Sequence, residues 1–530
     1  MKYPIGIQDF ESIIKDDYVY VDKTELIYRL VTEGKIYFLS RPRRFGKSLL
    51  VSTLEAYFKG RKDLFKGLAI DKLETEWAEY PVFHIDFNGS NFTKPNVLEE
   101  VIEKFLADQE YIYGKNPNSR DTGSRFKDIL QAAHQKTGKR AVVLIDEYDK
   151  PLLDVLDTGI STTIDGENRL LEDHHRNILK GFYSVFKSAD ANLQFVLLTG
   201  VTKFSQVSVF SGFNQPKDIS MDPRYEALCG ITEEELYQYF PAPIERLAVQ
   251  YKCSVPQMKE RLKKEYDGYH FSDVLTDIYN PFSVLNVFDS NRINDYWFKT
   301  GTPTYLIRLL NHTQENLNEL TGKYYDPSEF IDYKADVEMP LPMIYQSGYL
   351  TIKDYNMDMN TYLLDFPNNE VKKGFVTMVA NDYLKSKNLA GGWARDLVDA
   401  LKSADLERFR KLLTSFLADI PYTMRRKETE RERERYFHYT FYLLMRMVSC
   451  YTVYTEKQQS EGRVDCIVET SDYIYIFEFK LDGTTDEALA QIEEKGYARP
   501  YGSDKRKLFK VGTVFSSETG TISDWKVIES

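Results

Sequence analysis

The chain has 530 residues, 42% hydrophobic and 28% charged, a soluble globular composition too long for one hydrophobic core, so about two to four domains are expected. A formal net charge of -12 excludes a protein that coats nucleic acid over its whole surface, because that mode needs many Lys and Arg to release phosphate counterions, and any nucleic-acid contact must be local. Four widely spaced cysteines, six acids within the first 30 residues and no stretch near the roughly 18 apolar residues of a membrane span lead us to expect a cytoplasmic protein with no secretory leader and no membrane segment, and seven scattered histidines without HExxH argue against a zinc hydrolase.

The first informative element is a short apolar strand at 36–39 followed by R-P-R-R-F-G-K-S at 41–48 and a helical pattern at 49–58. A phosphate-binding loop needs a buried strand, a tight turn of backbone N–H groups and a helix whose positive end faces the same place. Gly46 lets the backbone approach phosphate, Lys47 can reach the β and γ oxygens, and Ser48 can ligate Mg2+, with Arg44 and Phe45 completing the cofactor-binding loop. Arg41 stands where the first glycine of GxxxxGK[ST] is usual.

The second half of such a site follows about 100 residues later. A continuous apolar run at 141–145, suited to a central parallel strand, ends in Asp146 and Glu147. Asp146 would hold Mg2+ and Glu147 would polarise the attacking water; solvated acids capping a strand end are the bland alternative. A third apolar strand at 195–198 ends in Thr199-Gly200, where Thr199 is either a γ-phosphate sensor or a turn residue. Strands alternating with helical patterns at 96–108 and 177–187 predict a doubly wound parallel sheet of the α/β class.

These motifs carry a resemblance. P-I-G-I-Q-D-F at 4–10, Y-V-D-K-T at 20–24, R-P-R-R-F-G-K-S, L-I-D-E-Y-D-K-P at 144–151, L-T-G-V-T-K-F-S at 198–205 and Y-D-G-Y-H-F at 266–271 are similar to the AAA-ATPase-like proteins of bacteria. The resemblance implies a P-loop NTPase fold, ATP and Mg2+ as cofactors, and an Arg at the first loop position as a family habit.

From Thr232 the pattern turns helical with T-E-E-E, a capping-box start, and helices are expected at 233–239, 244–251, 255–266 and 281–288, together resembling an ATPase lid. Arg308 is a solvated Arg or a lid residue reaching nucleotide. Alternating residues at 339–367 fit a small hairpin or winged module. Residues 424–435 carry six basic and four acidic side chains, read as a solvated helix face or as a local nucleic-acid contact.

Near the C-terminal end, strands are expected at 464–469 and 473–481, joined by a turn at 470–472. Alternation puts Glu478 and Lys480 on one face, continuing the apolar stripe of Ile474 and Ile476, and a hairpin brings Asp465 opposite them. Charged groups there need an ion or a partner; a Glu478–Lys480 pair on an exposed edge is the alternative. A helix at 485–495 directs Gln491 toward the strand ends. These residues resemble the PD-(D/E)xK nuclease superfamily, which implies a restriction-endonuclease-like domain. In it Asp465 and Glu478 ligate Mg2+, Lys480 positions water, Gln491 is accessory, and Glu434 matches the helical Glu before the core.

The expected organisation is an ATPase domain at 1–231, a helical lid and middle region at 232–400, and a nuclease-like domain at 401–530. The leading function is an ATPase fused to a Mg2+-dependent nuclease acting on DNA, with nucleotide state gating access or assembly. The alternatives are a nucleotide-switched regulator that grips DNA or a protein through a catalytically inactive nuclease fold, and a signalling ATPase that recognises a protein ligand through its middle region. A homo-oligomer is compatible with all three.

Overall fold

The computed structural model describes residues 1–164, 166–204, 216–298, 320–332, 340–384, 391–419, 437, 440–441, 444–445, 452–459 and 462–529. Arg308, Glu434 and the charged run at 424–435 lie outside the described residues. The chain forms two compact units, Met1–Val371 and Lys372–Ser530.

The first unit is built on a five-stranded parallel sheet. Its strands lie in the order Val82–Asp86, Ala141–Asp146, Leu193–Gly200, Ile36–Ser40 and Lys217–Asp218. Ala141–Asp146 is buried along its whole length, which is why its sequence is continuously apolar until the terminal acid. Helices Lys47–Phe58 and Thr122–Thr137 both pack against it. The α/β layering and the parallel sheet expected from the alternation of strand and helix patterns are present.

Arg41 has a structural task. Its side chain is 1% exposed, donates to the carbonyls of Ser40 at 2.9 Å and Ser220 at 2.7 Å, and lies 4.0 Å over the Phe271 ring. A guanidinium can be buried there because backbone carbonyls and an aromatic face replace water. The side chain thus fastens the start of the loop to neighbouring segments, and glycine at that position would forfeit the fastening.

The helices expected from Thr232 onward are present, two of them started by capping boxes. Thr232 and Ser254 each close a capping box, on helices Glu233–Tyr239 and Val255–Tyr266, and helices Pro241–Gln250 and Pro281–Ser290 complete the group. Leu236, Phe240, Leu247, Leu262 and Phe288 make its core, against which Tyr3, Val19 and Val21 of the N-terminal segment pack. Lys23, 9% exposed, donates to both carboxylate oxygens of Glu235 at 2.5 Å and ties the same segment to helix Glu233–Tyr239. The hairpin expected in the 339–367 region is present as Thr351–Asn356 and Thr361–Asp365, with Lys323–Tyr325 as a third strand.

The second unit has a five-stranded sheet in sequential order: Thr452–Gln459, Gly462–Glu469, Tyr473–Leu481, Lys507–Phe515 and Ile522–Glu529. All neighbours are antiparallel except Tyr473–Leu481 and Lys507–Phe515, which run parallel and therefore need a crossover. Helix Thr485–Glu494 supplies it, burying Leu489 and Ile492 against Val464, Ile467, Ile474 and Ile476. The helix sits so close to the sheet that a Cβ at Gly512 would lie 2.7 Å from the Thr485 carbonyl oxygen. Gly512→Ala is expected to destabilise this unit by about 2 kcal/mol through overpacking, read as a lower denaturant midpoint.

Candidate functional site

Backbone geometry shapes the loop at 41–46. Gly46 has φ 91 and caps helix Lys47–Phe58, and Arg44, with φ 69, adopts the left-handed region as well. The turn aims the helix start, and so its unpaired N–H groups, at a cavity of about 370 Å³ lined by Arg44, Gly46, Lys47, Ser48, Glu147 and Lys150 among others. Lys47 is 5% exposed and donates to the carbonyls of Arg41 at 3.0 Å and Pro42 at 3.2 Å. Phe45 faces away from solvent and meets the rings of Tyr269 and Phe271 edge-on at 4.8 and 5.6 Å, an anchor for the loop.

At the carboxyl ends of the central strands, Glu147 joins the lining of the same cavity. Asp146 is 2% exposed; its Oδ1 accepts the Thr199 hydroxyl at 2.5 Å and the Glu147 N–H at 3.1 Å. Thr199 therefore touches Asp146 directly across the parallel strand pair. Glu147 has φ 52, so the chain turns sharply after the strand and Glu147 lines the cavity.

A second, apolar cavity of about 100 Å³, lined by Val19, Leu228, Ile231 and Phe240 among others, shares Pro4, Gly46, Leu49, Pro281 and Leu285 with the first. The combined space has a polar end bearing Lys47 and Glu147 and an apolar end of a size and character suited to a flat heteroaromatic base.

Two residues just beyond Glu147, Asp149 and Lys150, were not singled out from the sequence. Asp149 is wholly buried, and its Oδ2 accepts the N–H groups of Val201 at 3.0 Å and Thr202 at 2.6 Å. Burial, with the Glu147 charge adding to it, pushes its carboxyl from 3.8 up to about 7. Tyr148 reinforces the join by donating from its hydroxyl to the Thr202 carbonyl at 2.8 Å. The strand ends approach so closely that a Cβ on Gly200 would lie 2.6 Å from Asp149 Oδ1. The only sequence signal was the second Asp of L-I-D-E-Y-D-K-P, which a strand-end reading treats as solvated.

In the second unit, the register Cys466 to Phe477 places Asp465 opposite Glu478. Asp465 Oδ2 accepts the Phe479 N–H at 2.8 Å, and the Asp465 N–H lies 3.5 Å from Glu478 Oε2. Glu478 is 1% exposed. Lys480 Nζ donates to Gln491 Oε1 at 2.6 Å, so helix Thr485–Glu494 returns Gln491 to the strand end. Asp465, Glu478, Lys480 and Gln491 are thus gathered at one end of the strand pair.

Among the described residues, no group of three or more His, Cys, Asp or Glu side chains is arranged to hold a metal. Each place offers fewer: the Asp146 carboxylate at the strand end, with the Ser48 hydroxyl on the helix that starts at the cavity, and Asp465 with Glu478. Such oxygen donors fit Mg2+, which binds through one or two carboxylates and takes its other ligands from phosphate and water.

A nucleotide-type cavity on a parallel sheet and an acid–lysine strand pair on a mixed sheet define a P-loop-type protein joined to a nuclease-type domain. Residues 4–210 match the family model described as predicted AAA-ATPase, and residues 432–525 match that of the PD-(D/E)XK nuclease superfamily. The chain is 35% identical over 535 residues to an uncharacterized protein in the vnfD 5' region of Azotobacter chroococcum mcd 1, covering 100% of this chain and 99% of that one. The chain belongs to the AAA-ATPase-like family and carries a PD-(D/E)XK nuclease superfamily domain. No helix among the described residues is long and apolar enough to cross a membrane.

The raised Asp149 carboxyl has a consequence for stability. Its folded pKa of about 7 lies above the ordinary 3.8, so the folded state holds a proton that the unfolded state has lost between those values, and stability falls as pH rises through that window. Asp149→Asn keeps an acceptor for both N–H groups and removes the charge. Its melting temperature relative to the parent is expected to rise by several degrees between about pH 5 and about pH 8, and a difference that does not vary with pH would refute the assignment.

Proposed function

We propose that this protein binds and hydrolyses Mg2+-ATP in its first unit and cleaves DNA with Mg2+ in its second, nucleotide state controlling access or assembly. The observation that carries the reading is a cavity with a polar and an apolar end, lined by Lys47, Ser48 and Glu147, next to strand ends where Thr199 bonds Asp146.

Phosphate would draw Lys47 off the carbonyls of Arg41 and Pro42, a low-cost exchange because the ammonium trades neutral acceptors for charged ones. Glu147 would orient a water for in-line attack. The water oxygen bonds to the γ-phosphorus, the bond from that phosphorus to the β,γ-bridging oxygen breaks, and the water proton passes by Glu147 to the departing phosphate. Mg2+ held through Ser48 and Asp146 would neutralise phosphate charge. Thr199, bonded to Asp146, would register whether the γ-phosphate is present.

In the second unit, Asp465 and Glu478 would hold Mg2+, which polarises the scissile phosphate. Lys480, steadied by Gln491, would place the attacking water and offset developing negative charge. An overall charge of -12 suits a local grip on DNA rather than a whole-surface one.

Two paired comparisons test this reading. Lys47→Ala is expected to lower ATP turnover by about 10²-fold or more, and Asp465→Ala to lower DNA cleavage comparably, with chelation by EDTA abolishing both activities. Equal rates within each pair would contradict the catalytic roles.

A further inference from the structure

The phosphate end of the cavity holds a cation that the loop at 41–48 does not supply. Lys150 lines the same cavity as Lys47, Ser48 and Glu147. Its N–H donates to the Glu147 carbonyl at 3.0 Å, so the left-handed turn at Glu147 that brings the water-orienting carboxylate into the cavity also places Lys150 there, at the start of the short helix Lys150–Leu153.

Arg43 also lines the cavity, and two further cations of the site are engaged elsewhere. The Arg44 guanidinium lies 5.1 Å over the ring of Phe282, on the lid helix Pro281–Ser290, and Lys47 rests on loop carbonyls. Lys150 stands on the strand-end side, beside the residue that would orient water. Its present partners are Asp154, 2.8 Å away and one helical turn on with the two side chains 23% and 24% exposed, and the Phe92 ring, 5.8 Å from the ammonium. A partly hydrated i,i+4 ion pair is a weak restraint. The flexible four-carbon stem lets the ammonium exchange that single carboxylate for a more highly charged phosphate.

We propose that Lys150 is a catalytic residue of the ATPase site, its ammonium leaving Asp154 to contact the γ-phosphate. Phosphoryl transfer spreads negative charge over the γ-oxygens while the water–phosphorus bond forms and the bond to the bridging oxygen breaks, and a second cation beside Lys47 stabilises that charge. ADP and phosphate are the products, and the water proton leaves by Glu147 as before. The assignment rests on the nucleotide reading above and adds to it a residue that senses the γ-phosphate.

The test uses the full-length chain with Mg2+, measuring ATP turnover and the affinities for ADP and for the slowly hydrolysed analogue ATPγS. Lys150→Met is expected to bind ADP as the parent does, which also reports a folded site. It should lose about tenfold of the preference for ATPγS over ADP and about 10²-fold in kcat. Asp154→Asn breaks the same ion pair but keeps the ammonium, so it should retain the parental preference and turnover. An unchanged preference and kcat in Lys150→Met, with normal ADP binding, overturns the role of Lys150 alone. Equal losses in both variants show that the ion pair matters only structurally and also overturn it. Failure of the parent to bind either nucleotide overturns the nucleotide reading itself, and the Lys150 assignment with it.

Discussion

Carboxylates buried at the carboxyl end of a parallel sheet are the constraint around which the first unit is arranged. A carboxylate taken out of water is costly unless hydrogen bonds or cations replace its hydration. Asp146 receives the Thr199 hydroxyl and the Glu147 N–H, and Asp149 receives two N–H groups from the segment after Thr199. These bonds lock the ends of two neighbouring strands together. They leave Glu147, Lys47 and Lys150 facing one cavity, where a charged phosphate chain and its metal would complete the balance.

The second unit meets the same problem on a different sheet. Continuing an apolar stripe into Glu478 places a carboxylate where only 1% of the residue is exposed, and Asp465 stands across from it in register. The Phe479 N–H donates to Asp465, while Lys480 donates to Gln491. Two carboxylates facing each other in register are an oxygen pair suited to a divalent cation.

Much of this arrangement was legible in the amino-acid order, because it depends on local periodicity. Strand Tyr473–Leu481 and the turn before it follow from alternation and a Thr-Ser-Asp break, and helices Glu233–Tyr239 and Val255–Tyr266 follow from their capping boxes. Lys47 begins a helix and Asp146 ends a strand, the positions that local patterning predicts for them. What was not legible depends on long-range packing. Arg41 reads as a departure from a glycine pattern, yet its role is set by Ser220 and Phe271, far along the chain. Asp149 carries no local signal of burial, yet the approach of residues 200–202 buries it completely. Lys150 was passed over for a related reason: only the turn at Glu147 shows that it faces the cavity.

That both units gather oxygen donors to seat a divalent cation is tested most directly by anomalous scattering from crystals grown with ADP and Mn2+. One peak is predicted between the nucleotide phosphates and the Ser48 and Asp146 side chains, and another between Asp465 and Glu478. Ordered ADP with no manganese at either place would contradict it.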